Sequence, residues 1–258
     1  MFRKRFGHRY KQSADEKNFS CTIRFLDDSE PLSFSYQKDT KGQEIFDQVC
    51  HCLDLFEKDY FGLRYIDIEK QRHWLDLLKP VYRQLKFVDP LVLCFRVKFY
   101  PSDPTKLKEE ITRYFLFLQL RRDLHHGRLL CSQNDANLLA AFIIQSEIGD
   151  YDNEERLTNY VGKFKMLPKQ SQRQEEKIRE LHKSFIGLTP AEAEMKFLIK
   201  SCKLETYGVD PHPVKDGSGN LIYLGINHLG IVTFQGNKRT RIFNWFVALY
   251  NYIAFTVC

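Results

Sequence analysis

The spacing of apolar residues changes period twice along this chain, and each change falls at residues that interrupt regular backbone. From Phe19 to Leu26 apolar and polar residues alternate, and they alternate again from Leu32 to Tyr36, after Asp27, Asp28, Ser29 and Glu30. A period of two places one side of an extended chain in a core, so these runs predict a hairpin. Thr40 is positioned to cap a helix from Lys41 to about Leu55, whose apolar residues Ile45, Phe46, Val49, Cys50, Leu53 and Leu55 fall mostly on one stripe. Further strands are expected at Phe61 to Ile66, around His73 to Leu75, and at Leu91 to Phe99. The order β-β-α-β-β-β predicts a small roll with one helix on one sheet face.

Pro101 and Pro104 mark the first boundary, and the period then becomes helical. Helices are expected from Glu109 to His126, stopped by Gly127, and from Asp135 to Ile148, stopped by Gly149. Two more are expected at Gln174 to Phe185, stopped near Gly187, and at Pro190 to Tyr207. The last opens with Thr189, Pro190 and Glu192, which supply an N-cap, a proline at the first helical position and a capping-box acid. Gly208 starts the third regime, with short strands at Leu221 to Ile226, Gly230 to Phe234 and Arg239 to Phe243. The chain therefore reads as α+β: a basic arm over residues 1–18, a roll over 19–100, a helical bundle over 101–207 and a sheet region over 208–258.

A chain of 258 residues, 43% hydrophobic, can fill several small cores and does not read as disordered. The formal charge of +6 favours anionic partners without choosing among them. The arm carries Arg3, Lys4, Arg5, Arg9 and Lys11 between Phe2, Phe6 and Tyr10, a pattern suited to an anionic membrane surface. Its start has no apolar stretch of the kind a signal peptide needs, and Phe2 stands where myristoylation requires glycine. The apolar tail from Phe246 to Cys258 is shorter than the roughly 20 residues that cross a bilayer as a helix. Membrane contact is therefore expected to be peripheral.

A search for chemistry returns little. The seven cysteines include no CxxC pair and read as reduced thiols of a cytosolic protein. Cys50, His51 and Cys52 have ligand side chains, but adjacent helical residues point different ways and cannot close a tetrahedral metal site. Gly217 and Gly219 read as a hairpin turn and not as a phosphate loop. His125 and His126 sit where they can meet the last carbonyls of a helix, and Glu109 and Glu110 suit a helix start. Phe115, Leu118, Leu139 and Phe142 read as bundle core. No cofactor, metal or nucleic acid is expected.

Several segments, in order, resemble one family. Lys58 to Tyr65, His73-Trp74-Leu75 and Phe95 to Tyr100 resemble the ubiquitin-like first lobe of a FERM domain. Leu107 to Tyr114, Gly127-Arg128-Leu129, Gln145 to Asp152 and Pro190 to Glu194 resemble its second lobe, a helical bundle like acyl-CoA-binding protein. Leu204 to Asp210 resembles the entry to the third, PH/PTB-like lobe. The chain is thus identified as a member of the band-4.1 superfamily. The resemblance implies a non-catalytic adaptor at the inner face of the plasma membrane and the cytoskeleton. Its implied partners are cytoplasmic tails of transmembrane proteins, cytoskeletal proteins and anionic phospholipids. It also admits an alternative, the regulatory FERM region of a longer signalling enzyme such as a protein tyrosine phosphatase. Two departures stand out. The third lobe normally continues with further strands and a closing helix, which Phe246 to Cys258 does not resemble, so a truncated lobe with exposed apolar surface is expected. The family's phosphoinositide site carries over to Lys79, with Lys70 and Arg72 nearby, but Asp76 stands where the pattern is basic.

Overall fold

The computed structural model describes residues 18–27, 29–152 and 160–246. The basic arm with Arg3, Lys4, Arg5, Arg9 and Lys11 lies outside the described residues, as does the tail beyond Phe246. The described residues divide into two compact units: those up to Cys52 with Leu63–Phe95, and Leu53–Gly62 with those from Arg96 on.

A mixed sheet of five strands holds most of the first unit: β1 (Phe19–Arg24), β2 (Leu32–Tyr36), β3 (Phe61–Ile66, its first two residues counted with the second unit), β4 (Arg72–Trp74) and β5 (Val92–Val97, its last two likewise), in the order β2-β1-β5-β3-β4. The alternation seen in the sequence fixes the hairpin register, Cys21 opposite Phe34 and Ile23 opposite Leu32, with β5 running parallel to β1 on its other side. Helix α1 (Gly42–Cys52) buries Ile45, Phe46, Val49 and Cys50, as its apolar stripe predicts. Thr40 does something different from the expected cap. Its hydroxyl accepts from the Gln37 amide upstream, and Glu44 instead takes the Lys41 amide. A five-residue helix, α2 (Val81–Leu85), was not expected. It is one turn long, too short to show a helical period, and buries Val81 and Leu85.

The second unit carries four longer helices: α3 (Glu110–His125), α4 (Gln133–Ile148), α5 (Gln172–Lys183) and α6 (Pro190–Ser201). Their ends follow the expected local chemistry. Gly127 takes φ +70, its amide reaches Leu124 O and the Arg128 amide reaches Asp123 O, the paired bonds of a Schellman terminus. Thr189 and Glu192 form a capping box with Pro190 in the first turn, and Ser171 and Gln174 form another. Helix α6 stops at Ser201, short of Tyr207: the chain continues in tighter turns, with the Leu204 amide on Ser201 O and the Tyr207 amide on Leu204 O, and of this stretch Tyr207 is buried. Phe117 and Phe197 meet edge to face at 5.0 Å in the bundle core.

The same unit ends in an antiparallel sheet of β6 (His212–Lys215), β7 (Leu221–Asn227), β8 (Gly230–Gln235) and β9 (Lys238–Asn244), in that order. One face packs Tyr223 against Val209, Val232 and Phe234. Gly225 is needed on that face because a side chain there would run into Val209. The register sets Ile226 beside Ile231 and Ile231 beside Phe243 on the opposite face. On that face Ile226 is 56% and Phe243 39% exposed.

Candidate functional site

Of the residues singled out for anionic lipid, Lys70 and Arg72 belong to the β3–β4 hairpin. Asp67 organises that turn: its Oδ1 accepts from the Glu69 and Gln71 amides at 2.9 and 2.8 Å, and its Oδ2 lies 2.7 Å from His73 Nε2. The hydrogen bond from the Gln71 amide, the strongest influence, holds the Asp67 carboxyl below the usual aspartate range. Lys70 takes φ +63 in this turn, and Arg72 pairs with Ile66 at the turn end of β4.

Lys79 lies beyond the other end of β4, in a loop held by backbone. The Gly42 and Gln43 amides at the start of α1 donate to Lys79 O and Leu77 O at 3.0 and 2.9 Å. Gly42 permits this approach, since a Cβ there would lie 2.8 Å from Asp76 O. Gln84 of α2 closes the loop, accepting from the Asp76 amide at 2.8 Å and donating to Asp76 O at 2.9 Å. The Lys79 side chain is 69% exposed, and its Nζ pairs with Asp76 Oδ2 at 2.8 Å. That hydrogen bond raises the Lys79 pKa and leaves the site partly self-neutralised. The register thus sets Lys70 and Arg72 at one end of a three-residue strand and Lys79 past the other, and does not gather them into one cluster. The organising roles of Asp67 and Gln84 were missed. Asp67 had a readable signal, an aspartate two residues before an exposed turn position; Gln84 had none.

Several of the described groups that could do chemistry are occupied structurally. Burial pushes the Cys21 thiol up to about 11, and burial followed by Asp135 does the same for Cys131, so both stay protonated at neutral pH. His182 is fully buried; its Nε2 donates to Gly149 O at 2.9 Å, which leaves Nδ1 to accept from the Tyr160 hydroxyl at 2.9 Å. His126 Nδ1 meets Arg122 O at 2.7 Å, the helix-end role expected of it. Glu109 and Glu57 form a reciprocal clamp. Glu109 Oε2 accepts from the Phe56 and Glu57 amides at 3.0 Å each, and the Glu57 carboxylate accepts from the Lys108 and Glu109 amides at 3.1 and 2.9 Å. Burial pushes the Glu57 carboxyl up, but those amides outweigh it and the net position is below the usual glutamate range. Phe115, Leu118, Leu139 and Phe142 are buried, and Phe142 stacks on Phe185 at 4.7 Å, so the bundle interior is filled. Among the described residues no group of three or more His, Cys, Asp or Glu is placed to hold a metal ion. No described helix is long and apolar enough to cross a membrane.

The sequence matches two family profiles, FERM N-terminal domain over residues 23–86 and FERM central domain over 102–212. It is 45% identical over 229 residues to Band 4.1-like protein 3 of Homo sapiens, covering 89% of this chain and 21% of that protein. It is 44% identical over 229 residues to Protein 4.1 of Mus musculus, covering 89% of this chain and 26% of that one. The chain thus spans about a quarter of the length of the curated relatives it matches. Among solved structures, the FERM and C-terminal domain complex of Drosophila Merlin aligns with a TM-score of 0.75 at 27% identity, covering 87% of this chain and 80% of that one. A MyTH4-FERM domain of Dictyostelium discoideum myosin VII shares the fold, with a TM-score of 0.69 at 18% identity over 89% of this chain and 52% of that one.

Proposed function

The chain belongs to the FERM family of band-4.1 relatives, and from that premise we propose that it is a non-catalytic linker between plasma-membrane components and the cortical actin cytoskeleton. The observation that carries this reading is the 45% identity to a Band 4.1-like protein over 89% of the chain. The occupied chemical groups support it: thiols held protonated, a buried histidine with both ring nitrogens engaged, and carboxylates clamped on backbone amides. We assign residues 19–100, 101–207 and 208–258 to the first, second and third lobes. The linker works peripherally, with cytoplasmic tails of transmembrane proteins and cytoskeletal proteins as partners and anionic phospholipid as a supporting contact. Lys79, on its backbone-fixed loop, is the headgroup contact of the first lobe, with Lys70 and Arg72 acting separately from the hairpin.

The test is fractionation of cells expressing the chain. We expect it in the detergent-resistant cytoskeletal fraction and on stripped plasma-membrane sheets. Recovery in the free cytosolic pool alone, with no retention by either fraction, overturns the reading.

A further inference from the structure

Within the second unit, a cavity of about 300 Å³ lies between the C-terminal end of α3 and the covered face of the sheet. Its walls are apolar: Leu130, Val209, Pro211, Tyr223 and Phe234. Val209 and Phe234 belong to the small buried cluster of the sheet, with Tyr223 packed against it. Among the described residues that line the cavity, Thr206 and Asn237 are the uncharged polar side chains and Arg128 is the cation. Its backbone is fixed by the Schellman bonds after Gly127, with the Arg128 amide 2.8 Å from Asp123 O. Two other arginines of the unit are ion-paired, Arg239 with Glu205 and Arg121 with Glu147. Arg128 has no such carboxylate among the described residues.

We propose that this cavity binds a ligand presenting one apolar side chain beside a free carboxylate. The apolar walls take the side chain, and the guanidinium, which suits bidentate pairing with a carboxylate, takes the charge. About 300 Å³ is at the small end of ligand pockets, which fits a single residue-sized body and excludes a long acyl chain. The same chemistry comes from two sources, a small free acid or the C-terminal residue of a peptide. The second source deepens the linker reading, since a membrane-protein tail can end in such a residue, and it rests on that reading.

The experiment is an NMR titration of the 258-residue chain, following the amides of Thr206 and Gly236 at the cavity wall. The probes are N-acetyl-phenylalanine, its C-terminal amide, and a hexapeptide ending in phenylalanine with a free or an amidated terminus. We expect saturable shifts at these amides with the acids and about tenfold weaker binding of the amides, the worth of one charge-assisted hydrogen bond. Arg128→Gln is expected to lower the affinity for the acids to that for the amides while leaving the amides unchanged. A hexapeptide acid binding more tightly than N-acetyl-phenylalanine assigns the site to peptide termini; the reverse assigns it to small acids. Equal binding of acid and amide, shifts confined to other regions, or no saturation with any probe overturns the proposal. The ligand swap needs no altered protein, so misfolding of the variant cannot mask the result. No membrane or cytoskeleton enters the assay, so a failure here leaves the linker reading to its own test.

Discussion

The helical bundle and the C-terminal sheet lie in one unit, yet they hold themselves together differently. In the bundle, α3 and α4 are buried on every side over residues 115–120 and 139–145, Phe117, Leu139 and Phe197 are at most 1% exposed, and the helix ends are closed by capping boxes and a Schellman terminus. In the sheet, one face has partners in Val209, Val232 and Phe234, and the other leaves Ile226 and Phe243 partly exposed. Helices surrounded by other helices bury every side, whereas an antiparallel sheet with both faces apolar needs a separate cover on each. The lesson is that the bundle closes its own large core, while the covered face of the sheet is closed by a small cluster of its own with Val209. Tyr207 joins the two regions, its ring meeting His228 of the β7–β8 turn at 6.2 Å. It is 1% exposed, donates to Pro101 O at 2.8 Å and meets Tyr100 edge to face at 5.4 Å, just before the chain enters the sheet.

This contrast can be broken by substitution. The largest expected effect is Phe197→Ala in the bundle, a loss of about 3–5 kcal/mol in urea unfolding, because the packed neighbours have no room to collapse. A loss under about 1 kcal/mol means the bundle is as loose as the sheet. Next is Phe234→Ala, expected to cost about 2–3 kcal/mol, since only a small cluster surrounds it. Its effect should appear as faster amide exchange in β6 to β9 while the helical circular dichroism at 222 nm is kept; loss of both signals together makes the sheet part of the bundle's cooperative unit.

Glu57→Gln sharpens the comparison from the bundle's side. It weakens the carboxylate bonds to the Lys108 and Glu109 amides and is expected to cost about 1 kcal/mol after solvent screening. The folded pKa of Glu57 is depressed, so its contribution is present above the ordinary glutamate pKa and is lost as pH falls through the folded value. Acid-unfolding curves of the wild type and Glu57→Gln should therefore converge at low pH. A constant gap down to the acid limit contradicts the assignment. The smallest effect on stability is expected from Lys79→Glu: no measurable change in Tm, because the ion pair with Asp76 is exposed. Co-sedimentation with vesicles containing phosphatidylinositol bisphosphate should nevertheless fall, and unchanged binding removes Lys79 from any lipid contact.

What could be read from the sequence follows the same division. The bundle's boundaries were legible because their signals are local: Thr189, Pro190 and Glu192 sit within one turn, and Gly127 marks a left-handed stop by itself. Strands β7 to β9 were legible from alternation and from the turns at Asp216 and Gly236. Thr40 misled because its hydroxyl can serve the turn before it as well as the helix after it, and the sequence does not choose. The Glu57–Glu109 clamp was illegible because its partners are 52 residues apart. Lys79 could be picked out, but its pairing with Asp76 and its separation from the Lys70 hairpin depend on how β4 is placed. The Arg128 cavity was invisible for the same reason, since its walls come from α3's terminus and two distant strands.

Native-state hydrogen exchange, read residue by residue, tests the division most directly. The account predicts that amides in α3, α4 and α6 exchange only through global unfolding, while those of β6, β7 and β9 exchange through a separate, lower-energy opening. Protection in β7 and β9 equal to that in α4, with one common dependence on denaturant, would contradict it.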